Sequence, residues 1–248
     1  MQPEEIALAE PAAPAREPFW GYSDLAIVMG LLLASFAIIV AVCGVLVFAV
    51  PAFKDDPTPL LLPMQLALYV FVYLCFYLMF KLRYGRPVFA SLGWRRTDAH
   101  PVVLAISGAG LAIALSVLAS AIHTPKIKTP IDELTNTPLM LAIFGVMAIT
   151  VAPLFEELFF RGFIQPLLSR TFGMVAGVVL TAVLFGALHG PEYSWAWQYA
   201  LAVSIAGAIF GWVRARTQSI VPSTIMHGAY NLVFIIALIF TKYYGPHK

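Results

Sequence analysis

Charge is scarce in this chain: Asp, Glu, Lys and Arg make up 11% of its 248 residues, against about 25% in an ordinary soluble domain. That deficit leaves too little polar sequence to clothe a water-facing surface, and it argues against two soluble domains. The formal net charge is only +2, too small a balance to imply a nucleic-acid partner. Cysteine is nearly absent. Cys43 and Cys75 lie in separate apolar stretches and read as small buried hydrophobes, not as a disulfide framework or a metal motif. Also missing are H-E-x-x-H, a P-loop, G-x-S-x-G, C-x-x-C and any convincing internal repeat. Gly108 and Gly110 lack the context of a dinucleotide site. The first 22 residues have no basic n-region of the kind a signal peptide carries. Being acidic and rich in Pro and Ala, they read as a flexible cytosolic leader, with Phe19, Trp20 and Tyr22 as an aromatic belt before the first span.

What fills the chain is apolar: 60% of it is hydrophobic and the mean hydropathy is +0.85. Runs long enough to cross a bilayer cover about Asp24 to Val50, Leu60 to Phe80, Pro101 to Ile122 and Leu139 to Phe155. A shorter apolar stretch from Leu158 to Leu168 either continues the fourth run past Pro153 or forms a half-helix of its own. Three more runs cover Phe172 to His189, Trp195 to Val213 and Ile220 to Phe240. The expectation is an all-α, polytopic integral membrane bundle of about eight membrane helices, one of them short or broken. Residues 23–244 form one membrane-embedded domain, with candidate catalytic motifs in 153–231, and 245–248 are a short tail. Lys81, Arg83, Arg86, Arg95 and Arg96 place the 81–96 loop in the cytosol, and counting back two spans puts the N-terminus there as well. Arg170, Arg214 and Arg216 agree with that parity.

Ionisable groups inside such runs are costly and usually functional. Glu156 and Glu157 sit side by side in T-V-A-P-L-F-E-E-L-F-F-R-G. On a helix Glu157 and Arg161 are i,i+4 neighbours with the acid N-terminal, the favourable order for an ion pair. Glu156 points about 100° away around the axis, free to face a cavity and activate water. His189 closes the apolar run F-G-A-L-H-G and reads either as a site residue or as an interfacial cap. His227 and Asn231 in H-G-A-Y-N share a helix face and need internal polar partners there. They also suit a hydrogen bond that merely packs helices. Gly207 with Gly211, and Gly173 with Gly177, are four apart and read as close-packing signals. Straight spans leave Glu156 towards the cytosol, His189 towards the outside and His227 between them, so convergence demands broken or tilted helices, for which Pro153, Pro166, Gly186 and Gly190 provide the means.

Taken in order, E-E-L-F-F-R-G, F-G-A-L-H and H-G-A-Y-N resemble the three motifs of the CAAX protease and bacteriocin-processing family, the intramembrane proteases that include Rce1-type and Abi-type members. The resemblance covers about Leu139 to Ile236 and includes Glu156, Glu157, Arg161, Phe185, His189, His227 and Asn231. It implies an all-helical bundle with a membrane cavity, and hydrolysis of peptide bonds in membrane-associated or lipidated substrates. On that reading Glu156 is the general base for water, with His189 orienting the water or sharing its proton. His227 and Asn231 donate to the oxyanion, while Glu157 and Arg161 support the local geometry. A metal version uses Glu156, His189 and His227 as zinc ligands with a water in the fourth position; the metal-free version is preferred, and the cofactor stays open. The implied partners are a membrane peptide or protein and the bilayer, in the inner membrane of a prokaryote. Two other readings remain at this stage: a non-catalytic scaffold or regulator that binds peptide segments, and a small proton-coupled transporter.

Overall fold

The computed structural model describes residues 18–244. Residues 1–17 of the expected leader and the tail 245–248 lie outside the described residues. Within them every regular element is helical, and the chain is an all-α polytopic membrane bundle. Its long helices are α1 (Tyr22–Ala49), α2 (Thr58–Arg83), α3 (Pro101–Ala121), α4 (Pro138–Phe172), α5 (Met174–Leu188), α6 (Trp197–Thr217) and α7 (Val221–Tyr244). By length and composition α1, α2, α3, α4 and α7 suffice to cross a membrane, whereas α5 is shorter.

Local chemistry sets the boundaries. The α1 start is closed by the Gly21 N–H donating to Asp24 at 2.9 Å. Pro101 opens α3 at a position where a missing N–H costs nothing, and His100 Nδ1 accepts from the Val102 N–H at 3.3 Å. Thr137 caps α4, its hydroxyl accepting from the Met140 N–H at 3.2 Å. Between α4 and α5 the chain reverses on Gly173, whose φ of +87° is open only to glycine at little cost.

The stretch after Pro153 is no separate half-helix. It continues α4, which runs unbroken for 35 residues, about 50 Å at 1.5 Å per residue. Two π-helical segments make this possible, Met147–Val151 and Glu157–Ile164, each ending two residues before a proline. A π turn widens the helix and relieves the clash between a proline ring and the preceding turn. It also displaces the unmatched acceptor. Met147 O accepts from the Ala152 N–H, five residues on. The next carbonyl in that phase is Ala148, whose partner position is Pro153 and carries no N–H. The Asn231 amide of α7 donates to this carbonyl at 2.7 Å.

The same extension resolves the depth problem. Because α4 far exceeds the roughly 30 Å of a hydrocarbon core, Glu156 lies near its middle and not at an end. Glu157 stands sixteen residues before Gly173 and His189 sixteen after it, so the tight α4–α5 hairpin carries both to one level. A Cβ on Gly177 would collide with Ser169, which shows how closely the arms approach. The third arm, α7, begins already buried: Ser219, Ile220 and Ser223 have almost no exposure. His227, two turns in, is therefore at depth. Gly108 lets α3 press against the Met226 backbone, where any Cβ would overlap the carbonyl. Cys43 and Cys75 are both free thiols.

At one end of α4, Trp20 lies within an aromatic cluster with Phe76, Phe80 and Phe163. Its Nε1–H donates to the Phe163 carbonyl at 3.2 Å. The Arg170 guanidinium donates to the Pro18 carbonyl. These contacts fasten residues 18–20 beneath the π segment that bears Glu157 and Arg161.

Candidate active site

Glu157 and Arg161 are both wholly buried on the second π segment of α4 and pair at 3.0 Å. The Arg161 guanidinium also donates from Nη2 to the Gly207 carbonyl of α6 at 2.9 Å and lies 4.4 Å from the Phe185 ring centre. One turn on, Gln165 Nε2 donates to the Gly211 carbonyl at 2.8 Å. Two polar side chains four apart on α4 thus engage two glycine carbonyls four apart on α6. The glycines are required by these contacts. A Cβ at Gly207 would stand 3.1 Å from Arg161 Nη2, and one at Gly211 2.8 Å from Gln165 Oε1. The small-residue pattern in α6 does more than pack helices, because it admits the arginine that balances Glu157.

His227 sits between the two glutamates. Its Nδ1 lies 3.1 Å from Glu157 Oε1, and its Nε2 lies 3.6 Å from Glu156 Oε2. A carboxylate only accepts, so the Glu157 contact places a hydrogen on Nδ1 and turns Nε2 towards Glu156. The imidazole stacks on Phe210 with ring centres 4.8 Å apart. Glu156 keeps 21% of its side chain exposed, whereas Glu157 has none. The Tyr69 hydroxyl of α2 lies 3.5 Å from Glu156 Oε1. One acid is therefore an internal strut and the other faces open space.

His189 caps α5 and donates from Nδ1 to the Phe185 carbonyl at 2.8 Å, which leaves Nε2 as its free nitrogen. Phe185 is the hub of the cluster, 4.5 Å from the His189 ring, 5.8 Å from His227 and 5.0 Å from Phe160 between ring centres. Glu156, Glu157, Arg161 and His227 thus meet directly, and His189 joins them across one aromatic ring. Asn231 lies a turn beyond His227, with one amide hydrogen committed to Ala148.

The zinc set of Glu156, His189 and His227 does not form. Among the described residues no three His, Cys, Asp or Glu side chains gather as a group that could hold a metal ion. His189 keeps Nε2 free, while both His227 nitrogens face glutamates. As they stand, these side chains are not gathered as a tetrahedral centre requires.

Sequence reasoning missed one acid. Glu192 lies in the short turn Pro191–Tyr193 that follows His189, within electrostatic reach of both His189 and Glu156. Burial, helped by Glu156, pushes its carboxyl above the ordinary range, while His189 opposes the rise. The turn is tightly wound. Ser194 and Trp195 both adopt positive φ, and the Trp195 ring lies where a Cβ on Gly190 would fall. A lone Glu in a loop gives no sequence signal of this kind. Phe210, Tyr69 and Gln165 were equally silent as isolated residues in apolar runs.

A family model described as type II CAAX prenyl endopeptidase, Rce1-like, matches residues 137–233. Over this segment the chain is similar to the Rce1-like family. The Rce1-like segment begins at the cap of α4 and ends two residues past Asn231, so it holds every motif residue. It leaves out Tyr69 and the packing supplied by α1 to α3. No curated protein and no solved structure matches the chain.

Proposed function

We propose that the protein is an intramembrane endopeptidase that hydrolyses peptide bonds of membrane-associated or lipidated substrates. The observation that carries this reading is the His227 imidazole, held by a buried glutamate on one side and presented to a second, partly open glutamate on the other. Glu156 takes a proton from water as the oxygen attacks the scissile carbonyl. His189 orients that water through Nε2. Glu156 passes that proton to His227 Nε2, whose other nitrogen is held by Glu157, and Nε2–H then donates to the oxyanion and delivers the proton to the leaving nitrogen as the C–N bond breaks. The free amide hydrogen of Asn231 supplies a second donor, and Arg161 pairs with the buried Glu157 carboxylate. Phe185 and Phe210 exclude competing water from the imidazole.

Residues 23–244 act as a single membrane domain in this reading. The same proposal places the chain in the inner membrane of a prokaryote, and the basic residues gathered at the Gly173 end of the bundle support a cytosolic N-terminus. The test is cleavage of a membrane-anchored peptide by the full chain in proteoliposomes. Glu156→Ala and His189→Ala should each lower turnover by about 10²–10⁴-fold, the usual contribution of acid–base groups. Thermal unfolding of both should stay close to that of the unaltered protein. Full cleavage by both variants would refute the assignment.

A further inference from the structure

The loop between α2 and α3 meets the α6–α7 turn through two main-chain ties. Ser219 Oγ donates to the Arg95 carbonyl at 2.7 Å, and the Ile220 N–H donates to the Gly93 carbonyl at 3.0 Å. Beside these ties the Arg214 guanidinium lies flat against Gly93. A Cβ there would stand 3.1 Å from Arg214 Nη2 and 3.4 Å from Nε, and Gly93 also has a φ of +84°. Glycine is thus needed twice over, for the turn and for the guanidinium it receives.

The charges in this corner do not balance. Arg214 Nε is buried without a hydrogen-bond partner, and Arg95 stands two residues along the chain from the glycine that receives the guanidinium. Among the described residues no carboxylate pairs with Arg95, Arg96, Arg214 or Arg216. A buried donor left unmade is expensive, and basic residues gathered in one corner without a carboxylate add to the cost. Helix packing alone accounts for one arginine turned outward at a helix end; it does not account for a second one folded over a glycine beside it.

We propose that Arg95 and Arg214 bind an anionic phosphate group, carried by a lipid of the adjoining leaflet. Phosphate presents several oxygens to two planar forks, which suits guanidinium better than ammonium. Trp212, 41% exposed with Arg216 4.5 Å over its ring, marks headgroup depth two residues before Arg214 on α6. Basic pockets between membrane helices are a recurring setting for acidic headgroups. Through Ser219 and Ile220 the bound phosphate would brace the start of α7, the helix that carries His227. This site stands apart from the reacting groups and does not depend on peptide hydrolysis.

The experiment uses the full chain in nanodiscs of phosphatidylcholine, with and without one part in four of phosphatidylglycerol, reading retained lipid by native mass spectrometry and the unfolding midpoint by heating. Phosphatidylglycerol should raise the midpoint and remain bound to the unaltered protein. Arg214→Gln and Arg95→Gln should each cut retention about fivefold, the effect of one basic residue at an anionic surface. Lys81→Gln, which removes a charge from the same end of the bundle, should change nothing. Should Arg214→Gln fail to fold, Arg95→Gln reads the same site. Equal losses in all three variants, or no response to phosphatidylglycerol, would overturn the proposal. A matching midpoint rise from inorganic phosphate in neutral discs would overturn the lipid source.

Discussion

Replacing Arg161 with Met keeps most of the aliphatic stem and removes the charge. The structure lets the cost be worked out. Arg161 and Glu157 have no solvent exposure, and their ion pair closes at 3.0 Å within one turn of α4. Without the guanidinium, Glu157 becomes a buried charge without its arginine, still beside His227, and the bond to Gly207 at 2.9 Å is lost as well. Removing one partner of a buried pair costs about 3–5 kcal/mol, some two to four powers of ten in the folding equilibrium. Glu157→Gln alone should also be costly, because it strands the arginine. The double variant should fall short of the summed losses by about 0.5–3 kcal/mol, the range found for residues in direct contact. Equilibrium unfolding of the full chain in mixed micelles measures all four corners of the cycle. A loss below about 1 kcal/mol for Arg161→Met, with additive behaviour in the cycle, would mean that the pair is screened by water and that α4 does not close on α6 as described.

Gly211→Ala should lower stability by about 1–3 kcal/mol through overpacking, since the new Cβ would stand 2.8 Å from Gln165 Oε1 and 3.3 Å from Val178. Gly110→Ala in α3, where nothing lies within 4 Å, should be neutral or gain up to about 1 kcal/mol from the lost backbone freedom of glycine; thermal unfolding separates the two. Glu192 sets a pH dependence. Its folded pKa is raised chiefly by burial, so its contribution is complete below the ordinary carboxylate range and is lost as pH rises through the raised folded value. Glu192→Gln should flatten that decline in a series of unfolding midpoints against pH, and an unchanged slope would remove Glu192 from the buried cluster.

The bundle was legible because its signals repeat over many residues. Apolar runs, basic clusters and the proline-led starts of α3 and α4 mark helices whatever their neighbours do. The Glu157–Arg161 pairing was legible for a different reason: it is local, fixed by helical spacing alone. The meeting of Glu156 with His227 was not, because it depends on heights in the bundle. Apolar counting ended the fourth run at Phe155, which put Glu156 near a surface, whereas the structure carries α4 on to Phe172. Nothing in hydropathy announces that a proline will be absorbed by a π turn and not break the helix. Asn231 illustrates the same limit. Its helix face was readable, but its partner is a carbonyl exposed by Pro153, seventy-eight residues earlier. Gly207 and Gly211 looked like generic packing residues because the side chains that need them come from another helix.

The hairpin turning on Gly173 acts as a ruler. Its two arms are equal in length, so one extra residue between Glu157 and Gly173 would raise that side by about 1.5 Å and swing it through about 100°. The glutamate would then point into lipid or into α6, with every motif residue still present. The same insertion between Phe53 and Pro57, or between His123 and Lys128, would only lengthen a connection. Length variation among chains with this site should therefore collect in those connections, while the count from Glu157 to His189 stays constant. A chain with all three motifs but a different count would need a compensating bulge in the opposite arm, and finding one would itself locate the turn.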